Sequence, residues 1–167
     1  PVQSEEFYGH LFDWGLANGQ MVAFEIDFMD YQLLQFPELL ESVGLAEQWQ
    51  QGIGDAAAAR NLSVQLCMEL PSELMSTLTS DAFTNARGSG DGGGDVSGFA
   101  ASSLLMSALG IAPFTDNFFS GGDGGKAQLR ASLAILSRGP VGFGDAVGKM
   151  NATLLKRTCN ANGELLQ

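Results

Sequence analysis

The sequence contains a single histidine, His10, and that scarcity leaves a catalytic triad or a histidine-based metal centre almost nothing to be built from. His10 reads as a surface or packing residue. The only two cysteines, Cys67 and Cys159, fall in different segments and match no zinc or redox spacing, so they read as buried or idle thiols. Basic residues are also few. Eight Lys and Arg against 19 Asp and Glu leave a net charge of -11, which repels phosphate backbones and anionic lipid and argues against a nucleic-acid partner. Long apolar runs are missing too, each being interrupted by Gly, Asp or Gln well short of the ~20 residues that span a bilayer. Pro1 is neither a methionine nor part of a basic-then-apolar leader, and 167 residues fall below the roughly 200 that a closed (β/α)8 barrel needs. The expectation is one domain, residues 1–167, that forms part of a longer chain.

What the sequence does contain is alternation. Apolar runs of strand length at 21–27, 62–68, 82–87, 111–116 and 140–144 are interleaved with helix-period segments at 5–17, 45–60, 71–78, 99–109, 126–137 and 146–157. A loop carrying Pro37 follows the first strand, Asn18-Gly19 reads as a left-handed helix stop, and residues 164–167 look like the opening of a further strand. This is the pattern of βα units on a parallel sheet. Each strand ends in a polar or small residue: Asp27, Met68-Glu69, Arg87 to Asp91, Asp116 and Asp145. Four aspartates from four separate strand ends suit a ring better than an open sheet. The fold class read from the sequence is therefore α/β, a partial (β/α)8 barrel.

Several motifs fail on chemistry. Gly88, Gly90 and Gly93 satisfy a dinucleotide fingerprint, yet Asp91 and Asp95 would repel the pyrophosphate. Gly124-Gly-Lys126 resembles the end of a phosphate loop, but Ala127 stands where a Ser or Thr would hold magnesium. Calcium β-roll turns need tandem copies, and only one Gly/Asp segment with a looser echo at 121–125 is present. The sequons at Asn61 and Asn151 are three-residue patterns of the kind that chance supplies, and Trp14 and Trp49 read as core. Asp30 and Asp95 read as caps or loop solubilisers. Asp27 differs, because it interrupts the apolar run Val22-Ala-Phe-Glu-Ile-Asp-Phe-Met29, where a buried carboxylate is costly unless function offsets it.

Around these residues the chain resembles the clan of retaining α-galactosidases, raffinose synthases and seed imbibition proteins. Glu25-Ile-Asp-Phe28 is similar to the strand motif that carries the nucleophile, and Arg87-Gly-Ser-Gly-Asp91 to the Arg-x-x-x-Asp motif that carries the acid/base. Leu66-Cys-Met68, Pro113-Phe-Thr-Asp-Asn-Phe118 and the stretch from Pro140 to Asp145 resemble further strands of the same barrel in the right order. The resemblance implies strands four to eight of the barrel, with Asp27 as nucleophile and Asp91 as general acid/base in a double displacement on an α-linked oligosaccharide or glycoside. It implies that Arg87, Glu25, Cys67, Asp116 and Asp145 line the sugar or acceptor subsite, with no cofactor and no metal, and that the missing N-terminal half of the barrel completes the pocket. The clan includes hydrolases and transglycosidases; a catalytically inactive carbohydrate-binding homologue is the other reading. Glu25 stands where the α-galactosidases usually hold a lysine, which changes the donor pattern and the field at Asp27.

Overall fold

A computed structural model describes residues 3–93, 96–122 and 125–165. Asp95, Gly94 in the first glycine-rich segment, Asp123 and Gly124 in the second, and Leu166-Gln167 of the expected last strand lie outside the described residues. The chain divides into two compact units, Pro1–Thr84 and Asn85–Gln167. Four strands, β1 (Ala23–Ile26), β2 (Ser63–Leu66), β3 (Phe83–Arg87) and β4 (Ala112–Phe114), form one sheet in the order β1-β2-β3-β4, with the β1/β2 and β3/β4 pairs parallel. β3 starts in the first unit and ends in the second. The class is α/β, as the alternation predicts. Among the described residues the sheet ends at β1 and β4, and no closed ring is formed.

In the first unit, α1 (Ser4–Asn18) opens with Glu5 and Glu6 in its first turn, where carboxylates favour the positive end of the helix dipole. It stops at Gly19, whose backbone is extended (φ -166°) rather than left-handed as the sequence predicts. α2 (Met29–Gln35) and α3 (Pro37–Glu41) replace the expected Pro37 loop. Pro37 starts a helix here instead of breaking one, because the first helical position has no N–H to satisfy. Met29 and Leu33, four residues apart, give α2 its buried stripe.

The helix α4 (Leu45–Ala58) lies against α1, closely enough that a Cβ on Gly52 would press on the Ser4 hydroxyl and come 2.8 Å from the Glu5 backbone nitrogen. Phe24 of β1 meets Phe12 and Tyr8 of α1 at ring-centroid distances of 5.1 and 6.1 Å, and Tyr8 meets Trp49 of α4 at 6.0 Å. Phe12, Ile53, Val64 and Leu66 are at most 1% exposed, and each such burial is worth about 1.5–3 kcal/mol. The register pairs Phe24 with Val64 and Ile26 with Leu66 on this core face. Ala23, Glu25, Ser63 and Gln65 occupy the opposite face and are exposed or half-buried. Short helix α5 (Pro71–Ser76) follows β2, its Glu73 carboxylate accepting the Leu70 N–H at 2.7 Å. Trp14, expected in the core, is exposed.

In the second unit, α6 (Val96–Ala108) is closed by Gly110 in the left-handed region (φ 80°), and α7 (Ala127–Leu136) buries Ala127, Ala131 and Ala134 along one stripe against Phe118 and Leu154. The strand expected at 140–144 is reduced to a single parallel bridge, Phe118 to Phe143. Pro140 supplies no N–H, and Gly139, Gly142 and Gly144 bring no side chains with which a strand could pack. The helix expected at 146–157 survives only as α8 (Ala152–Leu155). Gly148 turns left-handed (φ 76°), and the Asn151 side chain caps a new start by accepting the Thr153 and Leu154 N–H groups. The expected last strand leaves one antiparallel bridge, Cys159 to Leu165.

Candidate active site

The strands leave the sheet in a strained way. Phe28, Met68 and Asp116 each lie two residues beyond the end of a strand and hold φ of 56°, 56° and 64°, a region that costs a side-chain-bearing residue about 1–3 kcal/mol. Among the described residues the other two such positions, Asn61 and Arg138, follow α4 and α7. Strain of this size persists only where the surroundings over-determine it, and here it collects at the C-terminal ends of parallel strands.

Asp27 stands at the end of β1. Its Oδ1 accepts the Phe28 N–H at 2.7 Å, and the Gln32 amide donates to its carbonyl at 3.2 Å. The turn is stitched to β2 by Cys67 N–H to the Ile26 carbonyl (2.9 Å) and by Asp30 N–H to the Met68 carbonyl (3.0 Å). Asp27 is exposed, against the expectation of burial, because the chain has already left the sheet when it reaches that residue. Glu25, two residues earlier on the open face of β1, is also exposed. Cys67 is 1% exposed and presents no thiol to solvent. Asp30, read from the sequence as a cap or loop residue, lies inside the first turn of α2, whose N-cap position is Phe28, and its Oδ1 accepts the Tyr31 N–H at 2.8 Å; His10 is exposed with Nδ1 2.8 Å from the Glu6 carbonyl oxygen, as the sequence predicts.

Three of the sequence-derived site residues meet in the second unit. Arg87 closes β3 and places one guanidinium nitrogen 2.9 Å from Asp91 Oδ1 and 3.6 Å from Asp116 Oδ2. The Asp91 side chain is 93% exposed and that of Asp116 18%, so solvent screens the shorter contact more than the longer one. The loop between Arg87 and α6 is fastened to the end of β4 at three successive positions. Gly88 N–H donates to the Phe114 carbonyl (2.9 Å), the Ser89 hydroxyl to the Thr115 carbonyl, and Gly92 N–H to Asp116 Oδ2 (2.9 Å).

Asp145 repeats the device one loop later. Its two oxygens accept the N–H groups of Ser120 (2.9 Å) and Gly121 (3.0 Å), while the Ser120 hydroxyl accepts the Asn151 N–H at 2.7 Å. Desolvation alone would raise the Asp145 carboxyl, but the Ser120 hydroxyl and the surrounding backbone N–H groups outweigh it and hold the pKa below the usual aspartate value. Asp116 and Asp145 thus spend their carboxylates on backbone, 24 to 25 residues back along the chain.

Sequence reasoning overlooked Ser89, Gly92 and Ser120 as members of these clamps. The signal available was an Asp directly after a strand with a Gly-rich loop about 24 residues upstream, a pairing that no local window contains. A cavity of ≈ 60 Å³ in the first unit, lined by Met29, Leu33, Trp49, Gln50, Ile53 and Glu73 among others, has room for water rather than a sugar. Among the described residues no group of three or more His, Cys, Asp or Glu is arranged to hold a metal, and no helix is long and apolar enough to cross a membrane. Compared with known proteins, the chain matches no family model and no curated sequence.

Proposed function

We propose that this chain is the strand-four-to-eight portion of a (β/α)8 barrel in a retaining glycoside hydrolase acting on α-linked sugars, related to the α-galactosidase and raffinose synthase clan. The observation that carries the reading is the meeting of Arg87, Asp91 and Asp116 just beyond the C-terminal ends of the parallel strands β3 and β4, the end of the strands from which barrel enzymes work. The strand order supports it: β1-β2-β3-β4 follows the chain without the reversal that marks the ligand crevice of a doubly wound sheet. The open, small-to-polar face of β1 and β2 supports it too, since parallel sheets are ordinarily covered on both sides.

In the mechanism, Asp27 attacks the anomeric carbon as Asp91 passes a proton to the leaving oxygen, and Asp91 then takes a proton from the incoming water. Exposure leaves both Asp27 and Asp91 open to a substrate. Arg87 and Glu25 contact sugar hydroxyls. Transfer to a sugar acceptor differs only in what intercepts the intermediate. One specific observation favours an inactive, sugar-binding homologue as the second reading: Glu25 adds an anion on the strand face beside the nucleophile, where the clan has a cation.

The test is the anomeric configuration of the first product released by the full-length protein from an α-glycoside, followed by NMR. Retention is expected. Inversion contradicts the mechanism, and binding without turnover selects the inactive homologue.

A further inference from the structure

We infer that Asp116 is a positioning residue for Asp91, acting through Arg87 and the Gly92 amide, and does not itself bind the sugar. The inference rests on the proposed reading for what Asp91 does; its geometric basis is independent of that reading. One oxygen, Oδ2 of Asp116, meets both the Gly92 N–H at 2.9 Å and the Arg87 guanidinium at 3.6 Å. Those two groups bracket Asp91: Gly92 follows it in the chain, and Arg87 holds its Oδ1 at 2.9 Å.

The left-handed backbone of Asp116 (φ 64°) turns the chain out of β4 while its side chain reaches the upstream loop. Its neighbours Phe114 and Thr115 fasten Gly88 and Ser89 through main-chain carbonyls, so on the β4 side of this three-point attachment Asp116 alone contributes a side chain, and it brings a charge. The Asp116 side chain is 18% exposed against 93% for Asp91, the contrast expected between a carboxylate anchored in the scaffold and one presented to a substrate. A carboxylate whose Oδ2 already accepts a backbone N–H and faces a guanidinium has less capacity left for sugar hydroxyls. Gly92 (φ 64°) supplies the conformation that lets its N–H point at Asp116, which a side chain at that position would resist.

Two substrates separate positioning from binding in the full-length protein. An α-glycosyl fluoride needs no proton for departure of its leaving group, whereas an α-linked disaccharide does, and kcat/KM for each reports the step that forms the glycosyl-enzyme. Asp116→Ala is expected to lower kcat/KM for the disaccharide by about 10- to 100-fold, the scale of a 1 Å misplacement, and to leave the fluoride within about threefold. Asp116→Asn, which keeps an acceptor for Gly92 but loses the charge facing Arg87, is expected to fall between. Amide hydrogen exchange over residues 88–92 should quicken in Asp116→Ala and stay unchanged in Asp13→Asn, a control substitution in the first unit. Equal loss on both substrates, or unaltered exchange at Gly92, overturns the inference. If the wild-type protein turns over neither substrate, the glycosidase reading falls by itself, and unaltered exchange at Gly92 still overturns the positioning role.

Discussion

The two units hold themselves together by different means. In the first, close approaches run through side chains: Phe12 and Tyr8 against Phe24, the Arg60 guanidinium on both oxygens of Asp13 at 2.7 and 2.8 Å, and a Gly9 whose missing Cβ would meet only the tip of Arg60. In the second, alongside side-chain contacts such as Gly142 against Asn117, backbone comes against backbone at Gly139 and Gly121. A Cβ on Gly139 would run into the Pro113 carbonyl, one on Gly121 would lie 2.7 Å from the Lys149 carbonyl oxygen, and aspartate carboxylates bind N–H groups across loops. A unit built from side-chain packing tolerates rearrangement of its loops, whereas one built from backbone contacts holds its loops as part of the scaffold. The Arg87, Asp91 and Asp116 constellation sits in the second kind.

The contrast can be broken most forcefully by removing a side chain from the first unit. Phe12 is 0% exposed, and Phe12→Ala should cost about 3–5 kcal/mol in denaturant unfolding. The converse experiment adds one methyl group. Gly139→Ala should cost about 1–3 kcal/mol or more, because the Pro113 carbonyl it meets is backbone and cannot step aside. Gly9→Ala should stay within about 1 kcal/mol of the parent, since the end of Arg60 can shift and alanine favours the helix. Equal effects of the two glycine substitutions would erase the distinction.

The smallest effects are those of pH, and they differ in sign. Burial, with some opposition from the Leu70 N–H, raises the Glu73 carboxyl above its ordinary 4.5. Its contribution to stability is therefore complete below that value and is lost as pH rises through the folded pKa. The Arg60 hydrogen bonds lower Asp13 below its ordinary 3.8, and the Ser120 and Gly121 donors do the same for Asp145 once desolvation is overcome. Those contributions are present above the ordinary value and are lost as pH falls through the folded one. Glu73→Gln should flatten the upper side of a plot of unfolding midpoint against pH, and Asp13→Asn or Asp145→Asn the acid side. A substitution that shifts the whole curve without flattening either limb would contradict these assignments.

What could be read from the sequence does not divide along the same line. Helices α1, α4, α6 and α7 and strands β1 to β4 were legible because apolar runs and periodicity report side-chain burial, whereas α2 and α3 stand where Pro37 suggested a loop. The segment from 140 to 157 misled for another reason. Its register depends on Phe118 lying beside Phe143 and on the Asn151 cap, neither of which apolar periodicity reports. The residues of the site were legible one at a time as polar strand ends. Their grouping was not: no local window of the sequence places the Asp116 carboxylate on the Gly92 N–H or Arg87 beside both Asp91 and Asp116.

The central claim is that Asp27 is a nucleophile, and trapping it is the most direct test. The full-length protein should be treated with a 2-deoxy-2-fluoro glycosyl fluoride, digested, and sequenced by mass spectrometry. A single glycosyl ester on Asp27, absent from Asp27→Asn, is the predicted result. An adduct on another carboxylate, or none from a protein that hydrolyses the parent glycoside, would contradict it.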